Sequence, residues 1–296
     1  MKIPYEKRRF QEPTLELIAK VNAIAEDYQA KGYKITLRQL FYQLVSRNIV
    51  PNLQKKYKSV GKHLVNARNA GLLDWDLIID RTRGLSKYNH WDSPAEIVRS
   101  ASHWYHIDTR MHQPHYIEVW CEKDALASIL NPVSNKNDIP LLICRGYSSV
   151  TCKHDAANRL RRHEDPIILY LGDHDPSGED MVNDIRNKFD LYGCGHVEVR
   201  RIGLNPDQIK QYNLPSQMAK KGDSRAEKFI EKHGKLSWEL DALPPDALTQ
   251  IVQDEIDLLT DYDKLEARRL IQNEHRNTLR RIAGKMEDGA CDDCDK

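Results

Sequence analysis

Residues 167–178 read IILYLGDHDPSG, and this stretch decides the fold class. The run Ile167 to Leu171 suits a strand buried on both faces. Asp173 and Asp175 follow two residues apart, so an extended backbone turns both to one side, and Pro176 and Gly178 allow a tight turn into a helix over 178–188. Working outward, YIEVWC (116–121), PLLIC (140–144) and HVEVRRI (196–202) read as further strands. Helices are predicted near 124–130 and 149–162 between them. Short apolar strands alternating with helices mark an α/β domain with a largely parallel sheet.

The carboxyl ends of strands in such a sheet face the ligand crevice. Glu122 and Lys123 directly follow the strand 116–121, as Asp173 and Asp175 follow the strand at 167–171. Carboxylates converging at one sheet edge repel each other unless a cation neutralises them. Oxygen donors alone favour Mg²⁺, so Glu122, Asp173 and Asp175 are the expected metal ligands. A turn with helix caps is the plainer reading of an isolated DxD; the second acidic strand end shifts the balance toward a metal site. His174, between the aspartates, reads either as an ordinary exposed residue or as a proton donor that would let water act as nucleophile.

Before residue 110 the pattern is helical, with helices expected over 12–29, 37–47 and 53–69. Thr36 is the expected N-cap of the second. GLLDWDLIIDRTRG (71–84) then reads as a short β-wing, and three helices with such a ribbon resemble a winged helix. In the third helix Tyr57, Val60 and Leu64 form an apolar stripe, while Lys55, Lys58 and Lys62 lie about 200° away. That basic face, with Arg68, is the expected contact to duplex DNA phosphates. Residues 93–106 read as a connecting helix, and helical periodicity returns over 246–259 and 264–282. The boundary expected near residue 110 gives an N-terminal DNA-binding domain (1–110) and an α/β domain with a helical extension (111–296).

Charge follows the same division. The 296 residues carry a net charge of +1, but residues 1–110 hold 19 Lys/Arg against 11 Asp/Glu, a balance of +8, and the remainder balances at −7. One half suited to a polyanion and another suited to cations is the implied arrangement. With 40% hydrophobic and 30% charged residues the chain has the composition of a globular protein. No apolar run approaches the ~20 residues of a membrane helix. A charged N-terminus and six irregularly spaced cysteines point to the reducing cytoplasm.

Glu after one hydrophobic strand and DxDPxG after a later one resemble a Toprim domain. Upstream, Arg38-Gln39-Leu40-Phe41-Tyr42 resembles the R-x-x-(Y/F)-Y motif of the topoisomerase VI A subunit and the related meiotic double-strand-break protein. Ile202–Ile209, Tyr212–Pro215 and Trp238–Leu243 resemble that family's later segments, so the likeness spans about residues 36–260. It implies a compact, stand-alone A-subunit-like protein in which Tyr42 is the DNA-cleaving nucleophile, assisted by Arg38. Glu122, Asp173 and Asp175 would hold Mg²⁺, and Lys123 would contact phosphate. It further implies a homodimer in which the tyrosine of one protomer meets the carboxylates of the other. The chain has no Gly-rich ATP loop, so a full topoisomerase would need a separate GHKL-type ATPase subunit. Two other readings stay open: a Toprim nuclease using metal and water alone, and a non-catalytic DNA-binding module.

Overall fold

The computed structural model describes residues 2–33, 35–79, 88–146, 148–218 and 226–292. In chain order the principal elements are helices α1 (Glu12–Ala30), α2 (Leu37–Ser46), α3 (Gln54–Asn69) and α4 (Pro94–Trp104), then strand β1 (Tyr116–Cys121). Next come α5 (Ala127–Lys136), β2 (Leu141–Ile143), α6 (Val150–Leu160), β3 (Pro166–Leu171), α7 (Pro176–Leu191), β4 (Glu198–Gly203) and α8 (Pro206–Gln211). The ribbon strands β5 (Gln217–Met218) and β6 (Leu236–Ser237) flank α9 (Ala226–His233), and α10 (Pro245–Leu258) and α11 (Tyr262–Asp292) follow.

The fold is α/β. Four strands form a parallel sheet in the order β2-β1-β3-β4. β1 and β3, the two strands that lead into the acidic motifs, are therefore neighbours, and the Glu122 N–H donates to Leu171 O at 2.9 Å. Burial of Val119, Trp120, Ile168, Leu169 and Tyr170 explains why these strands are almost wholly apolar.

Two compact units emerge: residues 1–82 with 117–257, and residues 83–116 with 258–296. The divisions fall elsewhere than the boundary expected near residue 110. In the first unit the N-terminal helices build their own core. Ile18, Val21, Ile24 and Tyr28 of α1 pack with Leu40, Phe41 and Leu44 of α2 and Val60, Leu64 and Ala67 of α3. A capping box starts α2: the Thr36 side chain accepts from Gln39 N–H, and Gln39 Oε1 accepts from Thr36 N–H at 2.7 Å. The second unit pairs α4 with α11; Arg276 donates to Tyr105 O and Ile107 N–H donates to Gln272 Oε1.

The segment read as a β-wing differs. Asp74 caps a 3-10 turn at Trp75–Leu77, accepting from Asp76 N–H, so residues 71–79 form no ribbon; residues 80–84 of the expected wing lie outside the described residues. The alternation of DWDLII mimics a strand, but a short acidic side chain bonding two residues ahead competes with the sheet ladder. Among the described residues no helix is long and apolar enough to cross a membrane.

Candidate active site

The turn after β3 is held from several sides. Asp175 is the N-cap of α7, its Oδ1 accepting from Gly178 N–H at 2.7 Å and from Ser177 Oγ at 2.8 Å. Position 178 admits only glycine without rearrangement, because a Cβ there would lie 2.1 Å from Asp173 O. From β4, the Arg201 guanidinium donates to the carbonyls of Gly172, Asp173, Gly178 and Leu204. Sequence reasoning gave Arg201 no role; nothing local marks a strand arginine that will collect four carbonyls.

Asp173 is buried and both of its oxygens are engaged. Oδ1 accepts from Leu240 N–H at 2.8 Å, and Oδ2 lies 2.5 Å from the Lys123 ammonium. Glu122 reaches across from the end of β1, its Oε2 accepting from Asp173 N–H at 3.0 Å. Burial pushes both carboxyls above their usual range; Lys123 relieves this in part, and the neighbouring Glu239 adds to it.

The segment Trp238–Ala242 completes the cluster. It joins the turn through a reciprocal backbone pair, His174 N–H to Trp238 O at 2.9 Å and Trp238 N–H to His174 O at 3.0 Å. This pairing carries Glu239 and Asp241 to Lys123, whose Nζ lies 2.6 Å from Glu239 Oε2 and 3.8 Å from Asp241 Oδ2. Burial alone would lower the lysine, but Asp173, Asp241 and Glu239 outweigh it and hold the ammonium protonated. The resemblance of Trp238–Leu243 to a later family segment covers both acids but gives them no role, and the E-L-D alternation at 239–241 repeats the two-residue spacing of Asp173 and Asp175.

Tyr42 and Arg38 approach the same cluster from α2. Arg38 Nε donates to Asp241 Oδ2 at 3.0 Å and its Nη2 to Glu239 Oε2 at 3.2 Å, while its guanidinium sits over the Tyr42 ring, 5.3 Å from the centroid. Phe41, rather than Tyr42, enters the helical core. Burial raises the Tyr42 hydroxyl to about 12; Glu239 and Asp241 push the same way and Arg38 opposes them. The structure thus brings Tyr42, Arg38, Lys123, Glu122 and Asp173 together within one chain, with Asp175 beside them as a helix cap.

Other expected site residues lie elsewhere. Lys55, Lys58 and Lys62 are exposed on α3, opposite buried Val60 and Leu64. Arg68 faces inward instead: its guanidinium stacks on Trp75 and donates to Trp75 O and Ile78 O, holding the turn that follows α3. His174 is buried, not exposed, with its ring against Phe229, His233 and Trp238. Burial, with Arg201 and His233 nearby, lowers it to about 4, so it is neutral at pH 7 and poorly placed as a proton donor.

The donor chemistry fits a hard divalent cation. All the candidate ligands are carboxylate oxygens, Asp173, Glu239 and Asp241 surround the Lys123 ammonium, and the buried Asp241 Oδ1 has no hydrogen-bond partner. Among the described residues no three acidic, histidine or cysteine side chains are gathered in ligating geometry, and the Lys123 ammonium lies between Asp173 and Glu239. Compared with known proteins, the chain matches no family model and no curated relative.

Proposed function

We propose that the chain is a Mg²⁺-dependent DNA-cleaving enzyme, similar to the topoisomerase VI A subunit, that cuts DNA by tyrosine transesterification. In this reading the helices of residues 1–110 supply the DNA-binding domain and residues 111–296 a Toprim domain, and a homodimer presents two nucleophiles to the two strands of duplex DNA, each tyrosine served by the acidic cluster of its own chain rather than of its partner. One observation carries the proposal: Arg38 bridges Tyr42 to Glu239 and Asp241, which Lys123 in turn joins to Asp173 at the end of β3. The exposed lysines of α3 support contact with phosphates.

Ionising a tyrosine whose pKa is about 12 costs about 7 kcal/mol at pH 7, against about 4 for a free tyrosine. Burial sets most of the added cost; Glu239 and Asp241 increase it, and Arg38 and Lys123, which favour a phenolate, reduce it. In the reaction Tyr42 Oη attacks phosphorus and an Oη–P bond forms as the P–O3′ bond breaks. The phenolic proton passes to solvent, because Lys123, Arg38 and Gln217 already donate to both oxygens of Glu239, and the 3′-oxygen leaves as a hydroxyl after taking a proton from solvent. Glu122, Asp173 and Asp175 would hold Mg²⁺, which would supply charge stabilisation at the phosphoryl oxygens. The burial of His174 against Phe229 and Trp238 disfavours the version of the water-using alternative in which that histidine donates the proton.

Supercoiled plasmid incubated with the protein and Mg²⁺ or Mn²⁺, then quenched with detergent, tests the proposal. Wild type leaves DNA covalently attached to protein; Tyr42→Phe and Glu122→Gln leave none. Breaks made by Tyr42→Phe at the wild-type rate, with free phosphate ends, would refute the tyrosine mechanism.

A further inference from the structure

We propose that the Lys123 ammonium is the built-in counter-ion of the acidic cluster, and that a divalent cation must displace it from Asp173 in order to bind. The inference rests on the metal reading above and assigns Lys123 a role other than phosphate contact.

Three observations carry it. The first is burial: the Lys123 side chain is only 14% exposed and its principal partner, Asp173, 7%. A lysine that meets DNA projects into solvent, whereas this one is folded inward onto carboxylates at 2.5 and 2.6 Å.

The second is the engagement of Asp173. Its Oδ1 accepts from Leu240 N–H and its Oδ2 is held by Lys123, so a metal on this carboxylate meets the ammonium at the same group. An ammonium and a dication in contact with one carboxylate repel each other strongly in a site this dry, so the two occupants exclude one another.

The third is an available place for the displaced ammonium. Glu239 Oε2 already lies 2.6 Å from Nζ, with Asp241 Oδ2 at 3.8 Å, so a small rotation of the lysine stem takes it off Asp173 without exposing an unpaired charge. The same Glu239 Oε2 also accepts from Arg38 Nη2 at 3.2 Å. Lys123 settling fully on Glu239 competes with Arg38, so cation entry at Asp173 is transmitted through one shared oxygen to the guanidinium over Tyr42.

Calorimetric titration of the full chain with Mn²⁺ and with Mg²⁺ at pH 7.5 tests the displacement. Lys123→Met removes the competitor and should bind either ion at least tenfold more tightly than wild type. Wild type that binds the ion while Lys123→Met binds it equally or more weakly overturns the inference and leaves the metal site standing. Absence of binding in both proteins overturns the inference and the metal reading together.

A second measurement uses wild-type protein alone and so does not depend on the folding of the variant. With ¹⁵N-labelled lysine, the Lys123 ammonium should give a slowly exchanging NMR signal in the presence of chelator, identified by its loss in Lys123→Arg. Saturating Mg²⁺ should shift or abolish that signal. A signal unchanged at saturation overturns the displacement.

Discussion

Replacing Arg38 with methionine removes the guanidinium that joins α2 to the acidic segment while keeping most of the apolar stem over Tyr42. Arg38 Nε and Nη2 hold Asp241 and Glu239 at 3.0 and 3.2 Å. The Asp241 side chain is fully buried and that of Glu239 is 24% exposed, whereas Arg38 is 45% exposed. Deleting one partner of a fully buried pair costs about 3–5 kcal/mol. Two features reduce that figure here: the solvent around Arg38 screens its charge, and Lys123 remains 3.8 Å from Asp241. The expected loss is about 2 kcal/mol, or a fall in Tm of about 4–8 °C for a cooperative unit of this size. Urea unfolding at pH 7, in chelator to keep the cluster free of metal, measures it. Because Asp241 is buried, most of the loss should persist in 0.5 M salt, where an exposed pair would be silent. Placed on Asp241→Asn, the same arginine substitution should cost about 1 kcal/mol less, which is the coupling of the pair. Arg38→Met within 0.5 kcal/mol of wild type, or strict additivity with Asp241→Asn, would refute the bridge and with it the observation on which the proposed function rests.

Two further outcomes are expected. The triple reversal Lys55→Glu, Lys58→Glu, Lys62→Glu should abolish duplex binding, and the wild-type affinity should fall with salt at a log–log slope of about −0.9 per phosphate contact; Arg68→Ala should instead lower Tm, and a wild-type slope in the triple variant would place the DNA face elsewhere. His174, held at about 4 against about 6.5 when unfolded, stabilises the fold above pH 6.5, and that stability is lost as pH falls through the window to 4, by about 3 kcal/mol. Chelated His174→Phe should therefore lose less stability than wild type between pH 6.5 and 4, and parallel pH curves would show that the imidazole is not buried neutral.

The sheet was legible because its strands announce themselves. YIEVWC and IILYL are apolar runs of strand length, each ending on acid or on Gly-Asp, and β1 appears at the bounds its sequence predicts. The capping box of Thr36 and Gln39 and the Pro176 turn are likewise local chemistry, readable within four residues. The contacts that give Lys123 and Arg38 their surroundings are not local. Glu239 lies 116 residues beyond Lys123 and 201 beyond Arg38 in the chain, and the backbone pairing of His174 with Trp238, with Leu240 N–H on Asp173, brings it to them. Beside Glu122 a lysine reads as a free cation, since nothing in its neighbours reveals three acids waiting. The surroundings of Arg68 were hidden for a related reason: its helix is basic, but the carbonyls it serves belong to a turn that looked like a strand.

The pairing of α4 with α11 has a consequence for synthesis. α4 ends at Trp104, and the helix that supplies its partners begins at Tyr262. At about 5–20 residues per second, roughly 8 to 30 s separate the appearance of the two on the ribosome. During that interval Arg99, Tyr105 and Ile107 wait for Glu287, His275 and Gln272, none of which has been made. Residues 1–82 and 117–257 are all translated before α11 begins. The helix pair is therefore the last part to close, and when translation reaches residue 258 every residue of the first unit has been made while α4 still lacks its partner helix.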